Sequence, residues 1–302
     1  MNMRTRSDEM VLSVVIPTRN RCGSLEALLA SLARAEEPQV PFEIIVADNG
    51  SDDATPQLLQ NWSAAATNRR VLRVPQPGRS RALNEATRVS EGHWIAFLDD
   101  DVVVAPDYLV EITKFIKQTD CVAAQGTIQL SQEAMEDPSV RELVNRFKAM
   151  FPTVVHPPDW RPKTLTGANM LVRRDVLLQV GLYDERLGPG ASGFAEDDDL
   201  ADRILQSGGR IGYMPRVKVT HEINRDRLTL RAYLYRARKL GHGDYIRKQP
   251  GVVTWILPRL AVAGLRVVLA TVLCLRDHRH RALARWQRYA GALEAARQRS
   301  GQ

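Results

Sequence analysis

The strongest constraint on the fold is a repeated alternation in the first hundred residues. Val11-Leu-Ser-Val-Val-Ile-Pro17 is almost wholly apolar, rich in β-branched residues and stopped by proline. A run without polar alternation reads as a strand buried on both faces, the kind found in parallel sheets covered by helices. Leu25, Leu28, Leu29 and Leu32 then recur at helical spacing. Phe42-Glu-Ile-Ile-Val-Ala47 is a second strand, 53–66 a helix, 71–74 a short strand, and Pro75-Gln-Pro-Gly78 a turn. Residues 79–89 read as helix and 93–98 as a further buried strand. Short connections between such elements predict an α/β fold with an open, mixed but mainly parallel sheet flanked by helices.

The regularity loosens after Asp101. Helices are expected over 106–117 and 133–150, strands over 121–130, 164–172 and 211–219, and a helix over 196–206. Residues 151–163 are rich in proline and aromatics and read as an irregular loop. From Leu228 the pattern is helical to the end, with His242 in Gly241-His-Gly243 read as a turn or hinge. The division that follows is 1–225 as a catalytic α/β domain and 226–302 as a basic helical extension.

Composition excludes disorder: 44% of the 302 residues are hydrophobic and 25% charged, enough for a sizeable core. Three scattered cysteines fit a reducing cytosol better than a disulfide framework. The first ten residues contain no apolar segment, so no secretory signal is expected. Charge is divided unevenly. Residues 1–215 carry 23 Lys/Arg against 30 Asp/Glu, whereas residues 216–302 carry 19 against 5. A basic tail on an acidic globule suits a polyanionic partner.

Residues 252–275 are long and apolar enough for a membrane span, but Arg259 and Arg266 interrupt them. An arginine at the centre of a span costs at least about 2.5 kcal/mol. Seven residues apart, the two share a helix face, which suits an amphipathic helix in the bilayer interface. A packed core or dimer helix, or a true span, are the other readings.

The chemistry-bearing residues follow from the sheet, because parallel α/β folds collect their sites at the carboxyl ends of strands. Pro17, Thr18, Arg19 and Asn20 follow the first strand, Asp48 the second, Arg79 the third, and Asp99, Asp100 and Asp101 the fourth. Three successive carboxylates repel one another unless a hard divalent cation or solvent screens them. In an extended chain Asp99 and Asp101 project to the same side. Asp48 could accept a hydrogen bond from a base or ribose, and Arg79 could meet phosphate or base. Neither Gly-x-x-x-x-Gly-Lys-Ser/Thr nor Gly-x-Gly-x-x-Gly follows the first strand, which disfavours a nucleoside triphosphatase and a nicotinamide dehydrogenase.

Val14-Val-Ile-Pro-Thr-Arg-Asn20, Ile44-Ile-Val-Ala-Asp-Asn-Gly-Ser-Asp-Asp53, Gly78-Arg-Ser-Arg-Ala-Leu-Asn84, Phe97-Leu-Asp-Asp-Asp101 and Ala195-Glu-Asp-Asp-Asp-Leu200 occur in that order. Together they resemble the motifs of family 2 glycosyltransferases, over about residues 11–221. The resemblance implies a GT-A fold and inversion at the anomeric carbon. It implies a nucleotide-sugar donor, more often UDP-linked, held by Pro17–Asn20, Asp48 and Arg79. Asp99 would contact the ribose–phosphate region with Asp100 beside it, and Asp101 would coordinate Mg²⁺ or Mn²⁺, with Asp99 and His221 as further metal candidates. Asp197 matches the general base, and Glu196 is its catalytic neighbour. Asn169, in Thr166-Gly-Ala-Asn169, resembles a residue lining the acceptor or donor sugar.

The chemistry agrees with these roles. A departing diphosphate needs charge stabilisation, and an acceptor hydroxyl needs a base. Trp160 could stack on an acceptor sugar. Gly188-Pro-Gly-Ala-Ser-Gly193 suits a loop that closes over substrate. The expected acceptor is a glycan, a lipid-linked saccharide or a small molecule. The expected location is cytoplasmic, at the inner face of the cell membrane, with peripheral contact to anionic lipid. A sugar-phosphate nucleotidyltransferase is the alternative enzyme. A nucleic-acid-binding protein is the non-enzymatic one, disfavoured because the basic tail has few interleaved aromatics and leaves the aspartates without a purpose.

Overall fold

The computed structural model describes residues 10–147 and 150–300. The first nine residues, which carry most of the stretch read for a secretory signal, lie outside the described residues. The chain divides into two compact units.

The first unit takes in the chain up to Ser131, Pro152–Glu185 and Asp197–Glu222. Its early elements alternate as β1 (Leu12–Thr18), α1 (Cys22–Arg34), β2 (Phe42–Asp48), α2 (Thr55–Ala64), β3 (Arg69–Arg73), α3 (Arg79–Val89) and β4 (Trp94–Leu98). Then come β5 (Val102–Val104), α4 (Tyr108–Gln118) and β6 (Ala123–Leu130). Two short helices, α5 (Gln132–Glu136) and α6 (Pro138–Arg146), belong to the second unit. The first unit resumes with β7 (Asn169–Arg173) and α7 (Arg174–Gln179), and after α8 (Glu196–Gln206) it closes with β8 (Ile211–His221).

One eight-stranded sheet runs in the order β3-β2-β1-β4-β7-β6-β8-β5. The β3-β2-β1-β4 half is parallel, and the β6–β8 pairing is too. β7 runs antiparallel to both β4 and β6, and β5 antiparallel to β8. Register aligns Thr18 with Asp48, so the chain leaves β1 and β2 side by side. The period-2 rule is visible in β1. Leu12, Val14 and Ile16 face a core layer with Leu25 and Leu28 of α1 and Leu109 and Ile112 of α4. Val15 faces the opposite layer, with Leu83 and Ala86 of α3 and Leu200 and Ile204 of α8. Burial of each such aliphatic side chain stabilises by about 1.5–3 kcal/mol, so both strand faces are held and the loops at their ends are anchored.

Several expected elements differ. The helix expected over 133–150 is two helices, because Pro138 lacks the N–H that would continue the first. Asp137 instead caps the second, accepting from the Ser139 N–H. The strand expected over 164–172 starts only at Asn169, and β5 and α7 were too short for periodicity to find.

The second unit comprises Gln132–Phe151, Arg186–Glu196 and the chain from Ile223. Its body is α9 (Leu230–Lys248), α10 (Leu257–Val272) and α11 (Arg276–Ser300), with a π-helical turn, Val252–Ile256, leading into α10. His242 is no hinge: it lies inside α9, with Nε2 3.0 Å from Gln298 Oε1. The glycines beside it permit close helix packing rather than a break. A Cβ on Gly241 would sit 1.7 Å from the Arg288 carbonyl oxygen, and one on Gly243 would sit 2.4 Å from that of Phe194. Residues 188–193 form a hydrogen-bonded turn whose tip, 189–191, is exposed. Gly193 donates to the Gly188 carbonyl at 2.7 Å, Ser192 is buried, and Arg236 of α9 stacks over Phe194.

Candidate active site

The carboxyl ends of β1, β2 and β4, the start of α3 and the start of α8 bring one set of acids and arginines together. Asp48 closes β2 and is buried, its Oδ1 accepting the Ser51 N–H at 2.9 Å. Thr18 closes β1, and its hydroxyl donates to Asp100 Oδ2 at 2.8 Å. Arg79, the first residue of α3, donates from Nη2 to Asp99 Oδ1 at 2.6 Å. Its Nη1 lies 3.5 Å from Asp197 Oδ1. One guanidinium therefore links the β4 terminus to the start of α8. Residues separated by over a hundred positions meet because the sheet aligns the strand ends.

Asp197 is also held from the other side. The Gly167 N–H donates to its Oδ2 at 2.8 Å. Gln125 fixes that turn, accepting the Thr166 N–H at 2.7 Å and donating to the Asn169 carbonyl at 2.9 Å. A Cβ at position 167 would crowd Arg79 Nη2 and lie 3.0 Å from both Asp197 oxygens, so a larger residue would displace these two side chains. Burial raises the Asp197 carboxyl above the ordinary range; Arg79 opposes that shift and the Asp99 charge adds to it. For Asp99 burial also opposes ionisation, but the Arg79 charge and hydrogen bond outweigh it and hold the group low. Two carboxylates sharing one arginine are thus pushed in opposite directions, which is how a site separates a base from a permanent anion.

Asp100 and Asp101 form the second cluster. Burial pushes Asp100 up to about 7. Arg21 donates to Asp101 Oδ2 at 2.7 Å and lies 3.7 Å from Asp100 Oδ1. His221, buried at the end of β8, has Nε2 3.4 Å from Asp101 Oδ1 and Nδ1 2.9 Å from the Glu222 carbonyl oxygen. A proton on Nδ1 satisfies that carbonyl and turns the Nε2 lone pair toward Asp101. Carboxylate and imidazole side by side fit a divalent cation. No cluster of three such ligands occurs among the described residues, so the protein offers two and a ligand's phosphate oxygens would supply more.

Some expected residues are elsewhere or do other work. Pro17 is buried at the end of β1, next to Thr18. Arg19 is exposed. Asn20, at φ 53°, ties two loops together: its N–H donates to Ser51 Oγ and its Oδ1 accepts from the Asp52 N–H. Glu196 is buried at the first position of α8. Trp160 stacks on His156 at 3.9 Å and meets Tyr213 edge-on at 5.2 Å. Asn169 requires correction. Its side chain is fully buried, donating to the Thr127 and Val217 carbonyls and accepting from the Tyr108 hydroxyl, so it cannot meet an acceptor. The contribution of that motif is the Gly167 amide. Sequence reasoning missed Gly167 and Arg21; the first lay inside the quoted motif, and the second directly follows Asn20.

The description "Glycosyl transferase family 2" matches residues 13–181, more than half of the chain. The chain belongs to that family. It is therefore a glycosyltransferase, and the nucleotidyltransferase and nucleic-acid alternatives fall away. Over 243 residues this glycosyltransferase is 27% identical to the N-acetylglucosaminyl-diphospho-decaprenol L-rhamnosyltransferase of Mycobacterium tuberculosis, covering 70% of this chain and 76% of the relative. Its fold is similar to that of the mannosyltransferase PcManGT from Pyrobaculum calidifontis, solved with GDP-Man and Mn²⁺. There the TM-score is 0.65 at 19% identity, over 94% of this chain and 86% of that one. It is also similar to TarS 1-349 of S. aureus, solved with UDP-GlcNAc, with a TM-score of 0.55 at 17% identity, over 96% and 92% of the two chains. The eight-stranded sheet with flanking helices is thus the GT-A fold.

Proposed function

We propose that this glycosyltransferase moves a sugar from a nucleotide-sugar donor, UDP-linked, to a hydroxyl group of a glycan or lipid-linked acceptor, with inversion at the anomeric carbon. The observation that carries the reading is the Asp99–Arg79–Asp197 chain of contacts, 2.6 Å and 3.5 Å long, at the same sheet end as Asp48 and Asp101. Asp48 and the Thr18–Asn20 loop hold the nucleoside, and Asp99 and Asp100 line the ribose–diphosphate path. Asp101 and His221 would hold Mg²⁺ or Mn²⁺, which when bound offsets charge on the leaving diphosphate.

Asp197 takes the proton from the acceptor hydroxyl as its oxygen attacks the anomeric carbon from the face opposite the diphosphate. The carbon–oxygen bond to the diphosphate breaks, and its electron pair leaves with the nucleotide. Burial makes Asp197 more basic than an exposed aspartate, while Arg79 and the Gly167 amide fix its direction. Glu196 is a neighbour of the base with no assigned step.

In location, this reading has the catalytic domain, residues 1–225, working at the cytoplasmic face of the membrane with the basic segment 226–302 as its attachment. The rhamnosyltransferase relative, named for an N-acetylglucosaminyl-diphospho-decaprenol substrate, supports a lipid-linked acceptor. The test is a panel of nucleotide sugars screened for thermal stabilisation with and without Mn²⁺, followed by nucleotide release with candidate acceptors. A donor that raises the melting temperature and is consumed only with acceptor supports the proposal; no stabilisation by any nucleotide sugar would sink it.

A further inference from the structure

The apolar stretch that opens the C-terminal region has two sides in the structure. Along α10 and the π-helical turn before it, Ile256, Ala263 and Ala270 are buried and recur every seven residues, forming the line that packs on α11. Small residues let the two helices approach: a Cβ on Gly264 would lie 3.7 Å from the Trp286 ring, and Trp255 meets Tyr289 edge-on at 5.7 Å. The opposite side carries Leu257, Val262, Leu265, Val268, Leu269 and Val272, all 41–73% exposed. At 3.6 residues per turn these positions share one face. The polar side chains of α10 are Arg259, Arg266 and Thr271. Both arginines lie on the flank between the exposed and the packed face, seven residues apart, with Arg259 stacked over Trp255.

A face so apolar and so exposed requires an occupant. The charges around it identify one. Residues 252–300 carry nine arginines against Asp277 and Glu294 as their only acids. A second copy of this chain would bring the same positive flank against itself, and repulsion opposes that pairing. An anionic lipid surface matches the apolar strip and the arginines together. The stretch Val252–Val272 meets the length and hydropathy of a membrane span, at mean hydropathy 1.8. However, α10 is packed along α11, and Arg279, Arg281 and Arg285 lie on the stretch of α11 beside it. Drawing α10 through hydrocarbon would draw those arginines in with it, which is prohibitive without partners.

We propose that α10 lies flat in the interface of an anionic phospholipid bilayer. Its Leu257–Val272 face is inserted among the upper acyl chains, and Arg259 and Arg266 are at the headgroups. This rests on the membrane-side location given under Proposed function and specifies the surface that achieves it.

The test is co-sedimentation with sucrose-loaded vesicles of 30% phosphatidylglycerol in phosphatidylcholine, against pure phosphatidylcholine. The wild-type protein should bind the anionic vesicles, and binding should weaken as salt rises. Leu265→Asp with Leu269→Asp should reduce binding to background. Arg259→Gln with Arg266→Gln should weaken it at least ten-fold on anionic vesicles and much less on neutral ones. Nucleotide release from a donor with a water-soluble acceptor should be unchanged in both variants. That readout separates failure of this surface from failure of the transferase reading. The proposal is overturned by no vesicle binding by the wild type, by equal binding of the double aspartate variant, or by a wild-type dimer that this variant converts to monomer. Resistance of the wild type to extraction from vesicles by alkaline carbonate would overturn it in favour of a span.

Discussion

Arginine does opposite work in the two units. At the carboxyl edge of the sheet, Arg79 and Arg21 are enclosed by acids: Arg79 between Asp99 and Asp197, Arg21 on Asp101 and near Asp100. There each guanidinium is a positioning device, because its planar fork reaches two carboxylates at once. Along α10 and α11, no carboxylate of the described residues pairs with Arg259, Arg266, Arg281 or Arg285, and exposed leucines and valines lie beside them. The contrast teaches that the same charge organises chemistry where acids surround it and faces a partner where apolar surface surrounds it.

The largest expected effect lies at the sheet edge. Asp197→Asn should lower kcat by about 10³-fold while leaving donor affinity within a few-fold, measured by steady-state transfer and by calorimetric titration of nucleotide. Unchanged transfer would remove Asp197 as the base. Its acid-side pH limb should fall above the ordinary aspartate range, because burial raises Asp197 and protonation disables it.

Next is Asn169→Ala. It removes two donors and one acceptor from a buried network and should destabilise the fold by about 3 kcal/mol, with the melting temperature as readout. A normal melting temperature with impaired acceptor binding would restore the role first expected of this residue.

Asp100 gives a pH effect of the folded state. Burial pushes its carboxyl up to about 7, well above the ordinary carboxylate range. Below pH 4 both folded and unfolded chains hold the proton. From about pH 4 to 7 only the unfolded chain releases it, so this group's contribution makes stability decline across that window. Asp100→Asn should flatten that part of the stability profile in urea melts at a series of pH values.

Arg21→Ala removes a cation that sits on Asp101. Free Mn²⁺ should then bind a few-fold more tightly, measured by the loss of its electron paramagnetic resonance signal without nucleotide. The smallest effect is expected on α10. Leu265→Asp should change stability by no more than about 0.5 kcal/mol because the side chain is exposed, whereas Ala263→Leu on the packed line should cost about 1–3 kcal/mol.

Much of the site was legible before any coordinates. The strands that end in Thr18, Asp48 and Leu98 are mostly apolar runs, and everything following them had to emerge at one edge of a parallel sheet. Asp197 was legible through its motif. Asn169 was misread because a polar residue at a strand start looks the same whether it points to a ligand or into a core. Of the four strands beyond β4, β6 and β8 read as strands in the sequence, whereas β5 and β7 were harder. β5 has three residues, and β7 inserts antiparallel between β4 and β6, a choice made by pairing partners far away in the chain.

What the sequence by itself determined is the local part: where strands and helices lie, which strand ends carry carboxylates, and that the tail is basic and apolar together. Periodicity, proline stops and charge act over a few residues, so they can be read along the chain. Only the tertiary structure decided that Arg79 bridges Asp99 and Asp197, that the Gly167 amide holds the base, and which side of α10 is left uncovered. Those facts depend on which distant elements pack together, and that is settled by burial of the whole core rather than by any one segment.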